Sequence, residues 1–221
     1  MIIIAIAMQK GGVGKSTLTR SLSVASARAG LMVFALDMDP QQTTTAWSRR
    51  RGEGQLPAVR FSTELDLPLH IGMARAAGCD VMFIDTPPAR STEALAAIEA
   101  ADLVLIPCTP DIESFEQLPR TVQVAKALGV RALAVLNMVT PNSSGEISIA
   151  RAAFDKIGVR MADQVLHRLK IHKDASQKGR SAQEVTVISK GSGEISALWD
   201  GLAAQLNVCT GAQVHMPEDG R

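Results

Sequence analysis

The chain has 221 residues, 46% hydrophobic and 20% charged, which suits one α/β domain with a full core. Its 23 Lys and Arg nearly cancel its 22 Asp and Glu, for a net charge of +1. That excludes a strong overall pull on nucleic acid and leaves room only for a local basic patch. Three cysteines, Cys79, Cys108 and Cys209, form no CxxC pair, which excludes a disulfide framework and reads as reduced thiols in a cytosolic protein.

Residues 1–8 are an unbroken apolar run of strand length, as in a sheet covered on both faces. No basic residue precedes the run and a glycine loop follows at once, so it reads as a buried strand rather than a signal segment. Residues 15–29 follow as a helix, closed by Gly30. Residues 31–36 are the second strand, and 80–84, 103–106 and 130–136 are three more. Helical segments fall between them. One spans 118–128, with Pro119 in its first turn, where a missing N–H is harmless. The last helix, 194–206, repeats Ile195, Leu198, Trp199, Leu202 and Leu206 at helical spacing, a core stripe. This alternation predicts a doubly wound, mainly parallel sheet flanked by helices, with ligands at the carboxyl ends of the strands. One domain over residues 1–207 is expected, with a flexible polar tail over 208–221.

The most informative stretch is Gln9-Lys10-Gly11-Gly12-Val13-Gly14-Lys15-Ser16-Thr17, between a predicted strand and a predicted helix. That is the context a phosphate-binding P-loop needs. Glycines let backbone N–H groups curl around phosphate oxygens, and the helix start adds its positive dipole end. Lys15 is placed to reach the β- and γ-phosphates of ATP, and Ser16 to offer its hydroxyl to Mg²⁺. The fold expected is therefore of the P-loop NTPase type, with ATP hydrolysis as its activity. The general pattern asks for glycine where Gln9 stands, and an extra lysine, Lys10, precedes the glycines. In a monomer Lys10 could point to solvent; it could also reach phosphates held by a second subunit.

Phosphoryl transfer needs positioning and charge neutralisation, so acids at strand ends come next. Asp85 closes the hydrophobic run 80–84 and has the Walker B shape, with a role on Mg²⁺ through water. Asp37 and Asp39 end the second strand, and side chains two apart in an extended chain share a face. Asp39 is the candidate for orienting the attacking water, with Asp37 in support. Asn137 follows the strand 130–136; on the residues alone it either caps the next turn or faces a ligand.

Lys10 ahead of the Gly11–Ser16 core resembles the deviant Walker A loop of the ParA/MinD family. Leu36-Asp37-Met38-Asp39-Pro40-Gln41 and Ile84-Asp85-Thr86-Pro87-Pro88 resemble its second and third signatures, in the same order and near the same spacing. The resemblance covers residues 1 to about 206, and the chain looks like a small ParA-type partition protein without an N-terminal helix-turn-helix extension. It implies a homodimer formed with ATP, each Lys10 crossing to the other subunit's phosphates. It also implies an adenine contact for Asn137, DNA binding without sequence preference, and a ParB-like or other cargo adaptor that stimulates hydrolysis. The location implied is cytoplasmic, on the nucleoid.

Residues 167–180 hold five Lys and Arg against one Asp. Arg168, Lys170, Lys173 and Arg180 are the expected DNA contacts, sequence-independent and salt-sensitive. The triplet Arg49-Arg50-Arg51 reads as the cationic end of a helix. The histidines His70, His167, His172 and His215 lack metal spacing and read as surface or DNA-proximal groups. Two alternatives stay open. A MinD-like membrane-associated ATPase would need a basic amphipathic C-terminal helix, whereas residues 214–221 hold proline and acids, so no membrane contact is expected. A P-loop metabolic kinase or ligase would need a substrate pocket that sequence does not display.

Overall fold

The computed structural model describes residues 1–52, 54–88 and 91–208. Cys209, His215 and the expected tail from 209 onward lie outside the described residues. In chain order the elements are β1 (Ile2–Ile6), α1 (Lys15–Arg28), β2 (Val33–Asp37), α2 (Thr43–Arg51), β3 (Ala58–Phe61), α3 (Leu67–Ala76), β4 (Val81–Asp85) and α4 (Thr92–Glu99). Then come β5 (Leu103–Cys108), α5 (Ile112–Ala127), β6 (Arg131–Leu136), α6 (Ser144–Ile157), β7 (Arg160–Met161), α7 (Lys170–Gln177), α8 (Ala182–Val185) and α9 (Lys190–Leu206).

The sheet has seven strands in the order β3-β2-β4-β1-β5-β6-β7, and every pairing is parallel. β1 lies between β4 and β5, at the point where the strand order reverses, so the carboxyl end of β1 opens into the crevice where such sheets bind ligands. Successive side chains of β1 feed opposite faces. Ile4 and Ile6 pack with Leu18 and Leu22 of α1 and with the stripe of α9, while Ile3 and Ala5 pack with Leu67 of α3 and Ala97 of α4. Trp199 meets Phe83 of β4 edge-on, with ring centroids 6.1 Å apart. All five members of the α9 stripe are buried, as the spacing predicts.

Two helices start earlier than the sequence suggests. α5 begins at Ile112, capped by Asp111, whose carboxylate accepts the Ser114 N–H at 2.8 Å. Pro119 therefore sits inside the helix and not in its first turn, and its ring deletes the bond that would have reached the Phe115 carbonyl. Burial of Leu118, Val122 and Ala125 against the sheet holds the helix together across that gap. α9 begins at Lys190 behind a Ser189 cap. Gly191 lies in that added turn, and a Cβ there would stand 2.8 Å from Ile171, so the glycine lets α7 approach. Residues 52–79 carried no named strand or helix in the sequence reading, yet they hold β3 and α3. β3 is a four-residue edge strand with alternating exposure, too short to leave a periodic signal.

Candidate functional site

The loop from Gln9 to Thr17 joins the carboxyl end of β1 to the amino end of α1. Gly12 and Gly14 have φ of 77° and 90°, a conformation glycine adopts without a Cβ penalty. At Gly14 a Cβ would also stand 2.5 Å from Asn137 Nδ2, so a larger residue there would have to displace the Asn137 amide. Gly14 caps α1 without a side-chain bond, and the first turn carries no acid. The leading N–H groups of α1 are therefore available to an anion, with the helix dipole behind them.

Lys15 lies under the loop, 7% exposed, with Nζ donating to the carbonyls of Met8 at 3.2 Å and Lys10 at 3.3 Å. Burial lowers its pKa, and the charges of Asp85 and Asp39 oppose that shift. Strand register explains the carboxylates. Asp85 of β4 pairs with Ile6 of β1 on one side and with Asp37 of β2 on the other, so both acids end their strands level with the start of the loop. Asp85 is fully buried. Its Oδ2 accepts the Thr44 hydroxyl at 2.6 Å, and Oδ1 has no hydrogen-bond partner. Burial pushes its pKa up to about 6; Asp37 adds to the shift, while the Thr44 and Ser16 hydroxyls and Arg20 pull it down. A buried carboxylate oxygen without a donor, with the Ser16 hydroxyl beside it, suits a hydrated Mg²⁺ shared with phosphate oxygens.

The two acids of the second signature serve differently. Asp37 is buried and accepts the N–H groups of Thr45 at 2.7 Å and Asp39 at 3.2 Å, so it fixes the turn into α2. Burial raises its pKa against those bonds. Asp39 is half-buried and accepts only the Gln41 N–H, at 2.9 Å, which leaves its carboxylate open toward Lys15. Thr44, which orients Asp85, escaped the sequence reading; it stands seven residues past Asp37 and no motif marks it. Arg20 was also missed. It is 8% exposed on α1, donates to Thr17 Oγ1 at 3.2 Å and lies near Asp85 and Asp37.

Asn137 sits across the loop. Its Nδ2 donates to the Val13 carbonyl at 2.7 Å and its Oδ1 accepts the Met138 N–H at 2.9 Å. The amide thus clamps the loop and keeps one N–H and one lone pair for another partner. Lys10 is on the outer side. Its ammonium is ion-paired with Asp111 and lies 3.7 Å from Glu113. Burial pushes Asp111 up, but the bonds from Lys10, Thr109 and the Ser114 N–H outweigh it and hold the carboxyl well below its usual range.

A profile of the CobQ/CobB/MinD/ParA nucleotide binding domain matches residues 4–182. The chain belongs to that family. The carboxysome distribution protein A of Gloeobacter kilaueensis is 31% identical over 181 residues, 81% of this chain and 82% of that protein. The chromosome-partitioning ATPase Soj of Thermus thermophilus is 33% identical over 141 residues, 51% of this chain and 57% of that protein. The septum site-determining protein MinD of Pyrococcus horikoshii, solved with Mg-ADP, superposes with a TM-score of 0.74 at 21% identity, over 94% of this chain and 98% of that one. The chain therefore has the nucleotide-binding fold of the ParA/MinD positioning ATPases, and its own three signatures meet at one strand-end crevice.

The basic residues gather beside this crevice. Arg168, Lys170 and Lys173 line a cavity of about 980 Å³ together with Thr17, Arg20, Arg50 and Asn137. Arg180 stands apart, 3.9 Å from Glu184. Two sequence readings change. His70 is buried against Ser62 at 2.8 Å and is not a surface group, whereas His167 is half-buried, held by Glu194 at 2.6 Å, and lines the same cavity as the basic residues. Arg51 is more than a helix-end charge: it forms a nearly buried two-pronged pair with Glu184 and lies 4.8 Å from the Trp47 ring centroid.

Proposed function

We propose that this chain hydrolyses ATP, dimerises when ATP is bound, and in that state holds DNA without sequence preference to position or segregate DNA or another cargo. A cargo adaptor of the ParB type stimulates turnover. The observation that carries the reading is the division of labour between the two loop lysines. Lys15 is committed to the inside of the loop, whereas Lys10 sits outside it on Asp111 and Glu113 and contributes no bond to the loop's own shape through its side chain. A second loop lysine that its own loop does not use is suited to phosphates on a facing subunit.

Within the nucleotide site, Lys15, the α1 amino end and the glycines bind the phosphate chain, Asp39 orients water, and Asp85 and Ser16 hold Mg²⁺. Bound there, Mg²⁺ supplies charge neutralisation on the phosphates. Asn137 has the amide capacity left to meet adenine. Arg168, Lys170, Lys173 and Arg180 meet DNA phosphates. Among the described residues no helix is long and apolar enough to cross a membrane, and the apolar stripe of α9 is used by the core. The test is Lys10→Ala: nucleotide binding is expected to persist while light scattering detects no ATP dimer. Equal dimerisation of the variant and the parent chain contradicts the cross-subunit role.

One observation favours a second reading. An apolar cavity of about 390 Å³ between α4 and α5 borders Gln9 of the loop and Pro87 beyond β4, a position suited to a small acceptor substrate of a ligase or kinase. ATP turnover that rises with a metabolite, and not with DNA or a protein partner, would favour it.

A further inference from the structure

The cavity beside the loop is more cationic than a nucleoside requires. Arg20 rises from α1, Arg50 from α2, and Arg168, Lys170 and Lys173 from the start of α7 and the segment before it, while no carboxylate contributes to the lining. Among the described residues neither Arg50, Arg168 nor Lys173 forms an ion pair, and Lys170 has only Asp174, at 3.7 Å on an 86% exposed side chain. Arg20 makes the arrangement costly. It is more than nine-tenths buried and its one hydrogen bond runs to a neutral hydroxyl; the charges of Asp85 and Asp37 behind it favour its cation, while Arg50 on the cavity side disfavours it. Five like charges around one cavity repel one another, and an anion inside removes that repulsion.

Position limits what the anion can be. Thr17 closes the phosphate loop and also lines the cavity, as does the loop clamp Asn137. A nucleotide whose 5′ phosphates rest on the loop therefore puts its ribose and base into this cavity, and both are uncharged. ATP or ADP alone leaves Arg50, Arg168 and Lys173 without an anionic partner among the described residues.

We infer that the cavity accepts a second phosphate carried on the ribose, so that the chain binds adenine nucleotides phosphorylated at the 2′ or 3′ position more tightly than their plain counterparts. Arg20, with its fork at the Thr17 end, and Arg168 and Lys173 at the mouth are the groups that hold it. Guanidinium pairs with phosphate through two parallel bonds, stronger than neutral ones. The inference rests on the loop binding a nucleotide and does not need the DNA surface.

The experiment is titration calorimetry with ADP, adenosine 3′-phosphate 5′-diphosphate and its 2′ isomer, at low and moderate salt. One of the two phosphorylated forms is expected to bind at least about tenfold more tightly than ADP, and the ratio is expected to shrink with salt. In Arg168→Ala with Lys173→Ala, two exposed changes, the ratio should fall toward one; Arg20→Lys should keep part of it. A ratio near one in the parent chain, with ADP binding normally, overturns the inference while leaving the nucleotide site intact. No binding of any nucleotide would instead strike the proposed function. Retention of a random DNA duplex is measured on the same variants. Loss of duplex binding together with a ratio near one in the parent chain assigns these cations to DNA phosphates and overturns the inference.

Discussion

The phosphate loop and the cation-lined cavity share Thr17 and Asn137, yet they are built in opposite ways. In the loop, the buried charges of Lys15 and Asp37 are matched: Lys15 has two carbonyls within hydrogen-bond reach and the Asp85 and Asp39 charges nearby, and Asp37 accepts two backbone N–H groups. In the cavity the charges have one sign, most lie at the surface, and few are paired. The contrast shows where each kind of specificity is set. A preorganised, water-poor loop holds a fixed chemical group, whereas a rim of exposed cations holds phosphates loosely and loses its grip in salt.

Variants at the two places should therefore fail differently. The largest effect is expected from Lys15→Ala, which removes the charge–phosphate bonds at the centre of the loop. Nucleotide affinity should fall by roughly 30- to 1,000-fold, about 2–4 kcal/mol, in a fluorescent-nucleotide titration. A change under threefold would mean that the loop does not bind phosphate as described.

Asp85→Asn separates stability from function. A carboxyl whose folded pKa is raised from 3.8 to about 6 favours its protonated form in the folded state. In metal-free, nucleotide-free protein its contribution is fully present below the unfolded pKa and is lost as pH rises through about 6. At pH 7 the variant should then be more stable than the parent chain, by up to about 3 kcal/mol in urea unfolding. The same variant should lose the Mg²⁺ dependence of nucleotide binding. Lower stability at pH 7 together with unchanged Mg²⁺ dependence would contradict the reading of Asp85.

A smaller effect is expected from Gly14→Ala, which forces an alanine into a left-handed turn and against Asn137. It should cost about 1–2 kcal/mol and lower Tm by several degrees in calorimetry. An unchanged Tm would show that the loop relaxes freely.

The loop was legible in the sequence because its parts are contiguous or end a strand. Gly11 to Thr17 follow β1 directly, and Asp37 and Asp85 close two hydrophobic runs that register places side by side. Strand ends are visible in one dimension, and parallel pairing carries them to one edge. Thr44 and Arg20 were hidden because each acts through a contact made by packing: Thr44 reaches Asp85 across 41 positions, and Arg20 becomes part of a cavity only when α2 and α7 settle beside α1. The basic run was visible as charge, but its neighbours were not. Nothing local tells Arg168 that it will face the same cavity as Arg50. Pro119 misled for a related reason, since a proline inside a helix is tolerated only when a buried face compensates, and that face is a property of the fold.

The proposed function joins the two regions: ATP in the loop should create the state in which the cations hold DNA. The direct test is retention of a random-sequence duplex with ATP, ADP or no nucleotide, at two salt concentrations, for the parent chain and for Lys170→Glu with Lys173→Glu. Retention with ATP only, weakened by salt and reduced about tenfold or more by the double reversal, is the expected result. Retention that is equal in all nucleotide states, or unchanged by the reversal, would contradict it.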